Sequence, residues 1–260
     1  MISNGHMISI DLNCDMGESA GSNIIGNDSA IMPLVSSANI ACGFHGGDPS
    51  VMHRTVKMAL MHSVAIGAHP SFPDRDGFGR KEMNMTAGEI YDLVLYQVSA
   101  LSGITRVCGG VLHHVKPHGA LYNMAARELA YAVAITDAIA NFNRSLILYG
   151  LSGSELIKAG KAAGLVTCSE AFADRTYQDD GSLTPRTKPN ALITDTKTTV
   201  KQVIRMVKEK IVVSVSGKEV NIEADTICIH GDGAHALNFA KAVHEALVSE
   251  GILIKACHSL

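Results

Sequence analysis

Tryptophan is absent from this 260-residue chain, and aromatic residues make up only 5% of it. With 47% hydrophobic residues, any core must be built from aliphatic side chains. No apolar run approaches the roughly 18 residues of a membrane span, so no membrane association is expected. No basic stretch stands out. Lys and Arg number 22 against 25 Asp and Glu, which gives a nucleic-acid partner little support. The N-terminus lacks a basic region followed by an apolar core, so it is no secretory signal and a cytoplasmic location is expected. Met1 to His6 read as a leader, leaving a single domain over 7–260 with no composition shift inside it. Six cysteines, Cys14, Cys42, Cys108, Cys168, Cys228 and Cys257, lie far apart without a C-x-x-C pair. They are expected as small buried hydrophobes, not disulfides.

Familiar chemical signatures are missing as well. Residues 153–161 end in Gly-Lys, but their spacing and the following Ala162 exclude a Walker A loop. Gly77-x-Gly79 has no third glycine. Gly150-x-Ser152-x-Ser154 misses a nucleophile elbow by its last glycine. His244-Glu245 is followed by Val248 where a zinc-binding helix needs histidine.

What is present is alternation. Strands are read at 8–12, 38–41, 64–68, 111–116, 146–149, 165–169 and 226–230, each followed by a longer run of helical period. Asp48 with Pro49 starts one helix, Thr86 with Glu89 caps a second, and Ser152 with Glu155 caps another. One helix is expected over about 120–140, and a small hairpin insertion near 211–223. Seven strand–helix units imply a parallel sheet with right-handed crossovers. Nearly every strand ends in polar or ionisable groups: Asn13 and Asp15, His45, His69, Lys116 and His118, Glu170, and His230 with Asp232. A closed or nearly closed barrel gathers all of these at one mouth, whereas an open doubly wound sheet gathers only those at its switch point. The barrel is therefore preferred.

Alternation places Asp11, Asn13 and Asp15 on one side of the first strand, a cradle for a cation or a substrate. On the alternative reading this is a solvated loop with Glu18 as a helix cap. His45 lies in the glycine-rich run Gly43-Phe44-His45-Gly46-Gly47, where glycines let backbone approach a ligand closely. Asp48 is best explained as a structural N-cap. His69 closes the third strand before Pro70, and the loop beyond it is read as a lid or an ordinary exposed loop. Lys116 and His118 can stabilise an oxyanion or hold a carboxylate, while His113 and His114 read as core or helix-facing. Glu170 ends a strand, and Asp174-Arg175 offers either a bidentate carboxylate clamp or an internal salt bridge. Asp15, His45 and His69 together could hold a divalent metal.

Six segments in chain order resemble the LamB/YcsF family. They are DLNCDMGE at 11–18, ANIACGFHGGDP at 38–49, GAHPSFPD at 67–74, VKPHGALYN at 115–123, EAFADR-x-Y at 170–177 and HGD at 230–232. The match spans the chain from Met7. Departures are slight: Gly46 stands where Ala is expected, and Thr184-Pro185-Arg186 where Val-Pro-Arg is expected. The resemblance implies an α/β fold, a (β/α)7-type TIM-like barrel of the glycoside hydrolase/deacetylase superfamily. It implies the hydrolysis of 5-oxo-L-proline to L-glutamate coupled to ATP cleavage with Mg²⁺, carried out with two partner subunits, B and C, of a bacterial 5-oxoprolinase. Chemistry placed on the matching positions makes Arg175 or Lys116 the holder of the substrate carboxylate. Asp15, His45, His69 and His118 activate water or protonate the ring nitrogen. Asn13, Glu170, Asp174, His230 and Asp232 complete the pocket. ATP either meets the amides of Gly43, Gly46 and Gly47 or is handled by a partner. Two other readings stay open: a stand-alone metal-dependent amidohydrolase or deacetylase, and a non-catalytic subunit that delivers 5-oxoproline.

Overall fold

The fold is described by a computed structural model over residues 8–229 and 236–258. These residues form ten strands: β1 (Ser9–Met16), β2 (Ser37–Ala41), β3 (Ala65–His69), β4 (Leu112–Val115), β5 (Ile147–Leu151), β6 (Thr167–Phe172), β7 (Ile211–Val213), β8 (Glu219–Asn221), β9 (Thr226–Ile229) and β10 (Leu253–Ile254). Strands β1 to β6 and β9 pair in parallel in that order, and β1 pairs again with β9, closing a seven-stranded barrel. β10 adds in parallel to the start of β1, and β7 with β8 forms the antiparallel hairpin expected near 211–223.

Among the described residues eight α-helices connect the strands: α1 (Asp28–Ile31), α2 (Pro49–Met61), α3 (Ala87–Val107), α4 (Gly119–Arg127), α5 (Leu129–Phe142), α6 (Glu155–Ala162), α7 (Thr196–Lys208) and α8 (Ala236–Ser249). The Asp48 side chain caps α2 through the Val51 amide at 2.8 Å. Thr86 and Glu89 make a reciprocal capping box on α3. Three expectations need correction. The single helix over 120–140 is two, because Glu128 is extended (φ −116°, ψ 109°) between α4 and α5. The cap of α6 is Ser154, which accepts from the Ile157 amide, since the chain turns two residues later than Ser152. Cys168 and Cys257 are joined as a disulfide across 89 residues of sequence. After β10 the chain returns past the start of the barrel, a long-range approach that cysteine spacing does not reveal.

Strand alternation sorts β1 as the sequence requires. Ile10, Leu12, Cys14 and Met16 join the aliphatic core between barrel and helices, while Asp11, Asn13 and Asp15 point into the barrel. Barrel interiors are commonly filled by branched aliphatic residues. This one is polar in layers. Asp11 at the floor accepts from Ser36, Ser37 and Thr226. Asn13, Asn39 and His114 form the middle. Asp15, Lys116 and His69 lie at the mouth. The hydrogen bonds fix each layer, because a buried polar group without a partner costs stability.

Candidate active site

At the mouth, strand ends bring one cation between two carboxylates. Lys116 Nζ lies 2.9 Å from Asp15 Oδ1 and 2.8 Å from Glu170 Oε1, and it donates to Cys228 Sγ at 3.1 Å. Glu170 is fully buried and also accepts from Asn13 Nδ2 at 3.0 Å and from the Tyr122 hydroxyl at 2.7 Å. Three donors hold it as an acceptor. Burial opposes the charge on Lys116, but Asp15, Cys228 and Glu170 overcome it and keep the ammonium well above its ordinary value. Sequence reasoning missed Tyr122, one turn into α4, although it stood inside a motif segment. Tyr122→Phe should leave one Glu170 oxygen without its donor and cost about 1–3 kcal/mol. Urea unfolding measures this, and an unchanged midpoint would show that the bond carries no weight.

Beside the carboxylates sit three buried imidazoles and one more acid. The donor atoms of Glu18, His45, His69 and His118 all lie within 4.8 Å of one another. His45 Nε2 is 3.3 Å from Glu18 Oε1, His69 Nε2 is 3.3 Å from Asp15 Oδ2, and His45 stacks on His118 at 3.7 Å. His69 Nδ1 must donate to the Lys116 carbonyl at 2.7 Å, and His118 Nε2 to the Phe78 carbonyl at 2.9 Å. When both rings are neutral, His69 Nε2 and His118 Nδ1 turn bare lone pairs towards each other at 2.9 Å. Such a contact requires a positive charge between them. His45 Nδ1 is buried with no partner. Burial first, then His69, lowers His45 well below its ordinary value. Burial, His45 and His69 do the same to His118. His69 and His118, each with its outer ring nitrogen anchored on a carbonyl, together with His45 and one carboxylate fit a divalent cation. The carboxylate of this group is Glu18, which the sequence offered only as a helix cap, with Asp15 adjoining through His69.

The remaining expected residues divide. A cavity of about 820 Å³ opens over the mouth, lined by Asp15, His69, Lys116, His118 and Arg175 among others. Arg175 is buried and spends Nε on the Ala191 carbonyl and one terminal nitrogen on that of Thr184, and burial lowers it to about 10. Asn13 lies one layer below the mouth, and Asp174 adjoins Arg175 outside the cavity lining. Gly43 and Gly47 already donate their amides, to the carbonyls of Gly46 and Glu18. Gly46 packs against Glu18, where a Cβ would come within 2.9 Å of its carbonyl oxygen. The loop after His69 folds over the histidines, with the Phe78 ring edge-on to His45 and His118. His230 and Asp232 lie outside the described residues.

The model of the LamB/YcsF family matches residues 10–260. A protein of Tolumonas auensis, named as the A subunit of 5-oxoprolinase, is 60% identical over 96% of this chain and all of its own length. The crystal structure of a lactam utilization protein from Thermus thermophilus superposes with a TM-score of 0.92 at 46% identity, over 96% of this chain and all of that one. A deacetylase solved with its substrate shares the fold alone, at TM-score 0.50 and 13% identity over 95% of this chain and 87% of that one. Among the described residues no helix is long and apolar enough to cross a membrane. This chain belongs to the LamB/YcsF family.

Proposed function

We propose that this chain opens the lactam ring of 5-oxo-L-proline to give L-glutamate, as one subunit of an ATP-dependent 5-oxoprolinase working with subunits B and C in the cytoplasm. The observation that carries this reading is the full-length match, at 60% identity, to a protein named as the A subunit of 5-oxoprolinase. A five-membered lactam is a resonance-stabilised amide, so attack by water needs help at the carbonyl and at the leaving nitrogen. Transfer of the ATP γ-phosphoryl group to the lactam oxygen supplies that help. With the Gly43 and Gly47 amides turned inward, the reading gives ATP and its Mg²⁺ to the partner subunits.

Within this chain, the N–H groups of Arg175 not used by Ala191 and Thr184 hold the substrate carboxylate, with Asp174 beside them. Asp15, held as an anion by Lys116, takes a proton from the attacking water, whose oxygen bonds to the lactam carbon. As the carbon–nitrogen bond breaks, that proton passes to the ring nitrogen, which leaves as the amine of γ-glutamyl phosphate, and a second water cleaves this acyl phosphate to glutamate and inorganic phosphate. Lys116 and Glu170 fix Asp15 and Asn13 throughout. Glu18, His45, His69 and His118 would hold a divalent cation, and when bound it supplies Lewis-acid polarisation of the carbonyl.

Glutamate release from 5-oxoproline with ATP and Mg²⁺ tests this, using the chain alone and then with subunits B and C. Turnover only in the mixture is expected. The histidine–glutamate group favours a second reading, a stand-alone metal-dependent amidohydrolase. Turnover by this chain alone without ATP would replace the first reading with that one.

A further inference from the structure

Below the catalytic layer a buried chain of hydrogen bonds runs to the barrel floor, and its donors can be counted. Thr226 Oγ1 gives its proton to Asp11 Oδ2 at 2.6 Å, so it can only accept from Asn13 Nδ2 at 2.7 Å. That orients Asn13, whose Oδ1 faces Lys116 Nζ and Asn39 Nδ2. Asn39 Nδ2 also donates to Asp15 Oδ1 at 2.8 Å. Asn39 Oδ1 is therefore left to face His114 Nε2 at 2.8 Å, and that nitrogen must carry a proton. At the other end, His113 Nε2 faces the Cys257 carbonyl at 2.9 Å and must also carry one. Between the rings the two Nδ1 atoms meet at 3.0 Å, which needs a third. Two neutral imidazoles own only two such protons.

We propose that His113 and His114 share three protons as a single buried cation, a positioning pair that holds Asn39 and, through it, the Asp15 carboxylate. The structure makes room for it. A Cβ at Gly67 on β3 would sit 2.0 Å from His114 Nε2, so only glycine leaves space for the ring. Tyr149 stacks on the other side of His114 at 4.1 Å. Burial pushes both imidazoles down, as do positive neighbours: His258 for His113, and for His114 first His113 itself, then Lys116 and His69. Asp11 and Asp15 pull the other way. Satisfaction of all three N–H groups by fixed acceptors decides for the cation. Charge agrees: the barrel interior carries Asp11, Asp15 and Glu170 against Lys116, and a second cation reduces the excess.

The positioning role rests on the reaction proposed above; the proton count does not. The count is tested on the unmodified full chain labelled with ¹⁵N-histidine, with His113→Gln and His114→Gln assigning the signals. At neutral pH the pair should show three nitrogen-bound protons, one ring being doubly protonated. Two neutral rings would overturn the proposal. Positioning is tested with subunits B and C present. His114→Gln should lower kcat by about 10–100-fold with KM nearly unchanged and displace the acidic limb of the pH profile. A kcat and profile superimposable on wild type would overturn it. If the wild-type mixture forms no glutamate, the reaction assignment fails and the spectroscopic count still decides the cation.

Discussion

Lys116→Met should abolish detectable glutamate formation and lower stability by about 3–5 kcal/mol, the range for stranding a buried charge. Methionine nearly fills the volume of the lysine stem but brings no donor. Asp15 and Glu170 would lose the ammonium 2.9 and 2.8 Å away. Glu170 is fully buried and cannot turn to water. Because the folded ammonium is held above its ordinary 10.5, its contribution is complete below that value and is lost only as pH rises beyond it. The stability gap between wild type and variant, measured by urea unfolding, should therefore stay constant from neutral pH to about 10. A gap that closes at neutral pH would show that another group neutralises the carboxylates.

His69→Ala should have the second largest effect. His69 is the link between the two halves of the mouth, 3.3 Å from Asp15 and 2.9 Å from His118. Its loss removes one donor of the four-residue group and one neighbour of Asp15. Equilibrium dialysis with Zn²⁺ should show affinity reduced beyond the ~10–100-fold typical of losing a supporting partner. Turnover in the three-subunit mixture should fall by about 10²–10⁴. Glu18→Gln should weaken Zn²⁺ binding as well, which separates the four-residue group from one built on Asp15. Wild-type affinity in both variants would remove the cation from the mechanism.

Much of this was legible in the chain. Ionisable groups at successive strand ends pointed to a closed barrel, and the closure through β1 and β9 bears that out. The alternation of Asp11, Asn13 and Asp15 put three polar side chains on one side of β1, and the barrel encloses that side, but only Asp15 reaches the mouth while Asp11 lies at the floor. Local signals also held at the Asp48 cap and the Thr86–Glu89 box, because both depend on neighbours three residues away. Glu18 and Tyr122 were not singled out. A carboxylate after a strand looks the same as a helix cap or a ligand, and a tyrosine in a helix looks the same as core, until the facing strand is in place.

The amino-acid sequence by itself determined the period of the elements, the aliphatic shell and the supply of acids and imidazoles at the strand ends. These depend on side-chain character at fixed spacing. Only the tertiary structure decided which of those groups meet. Closure brings Lys116 to Asp15 across 101 residues and Asn13 to Glu170 across 157. It also brings Cys257 to Cys168 and His113 beneath the barrel. Such contacts follow from strand order and register, and hydrogen-bond direction then sets which nitrogen carries a proton. Spacing along the chain contains neither.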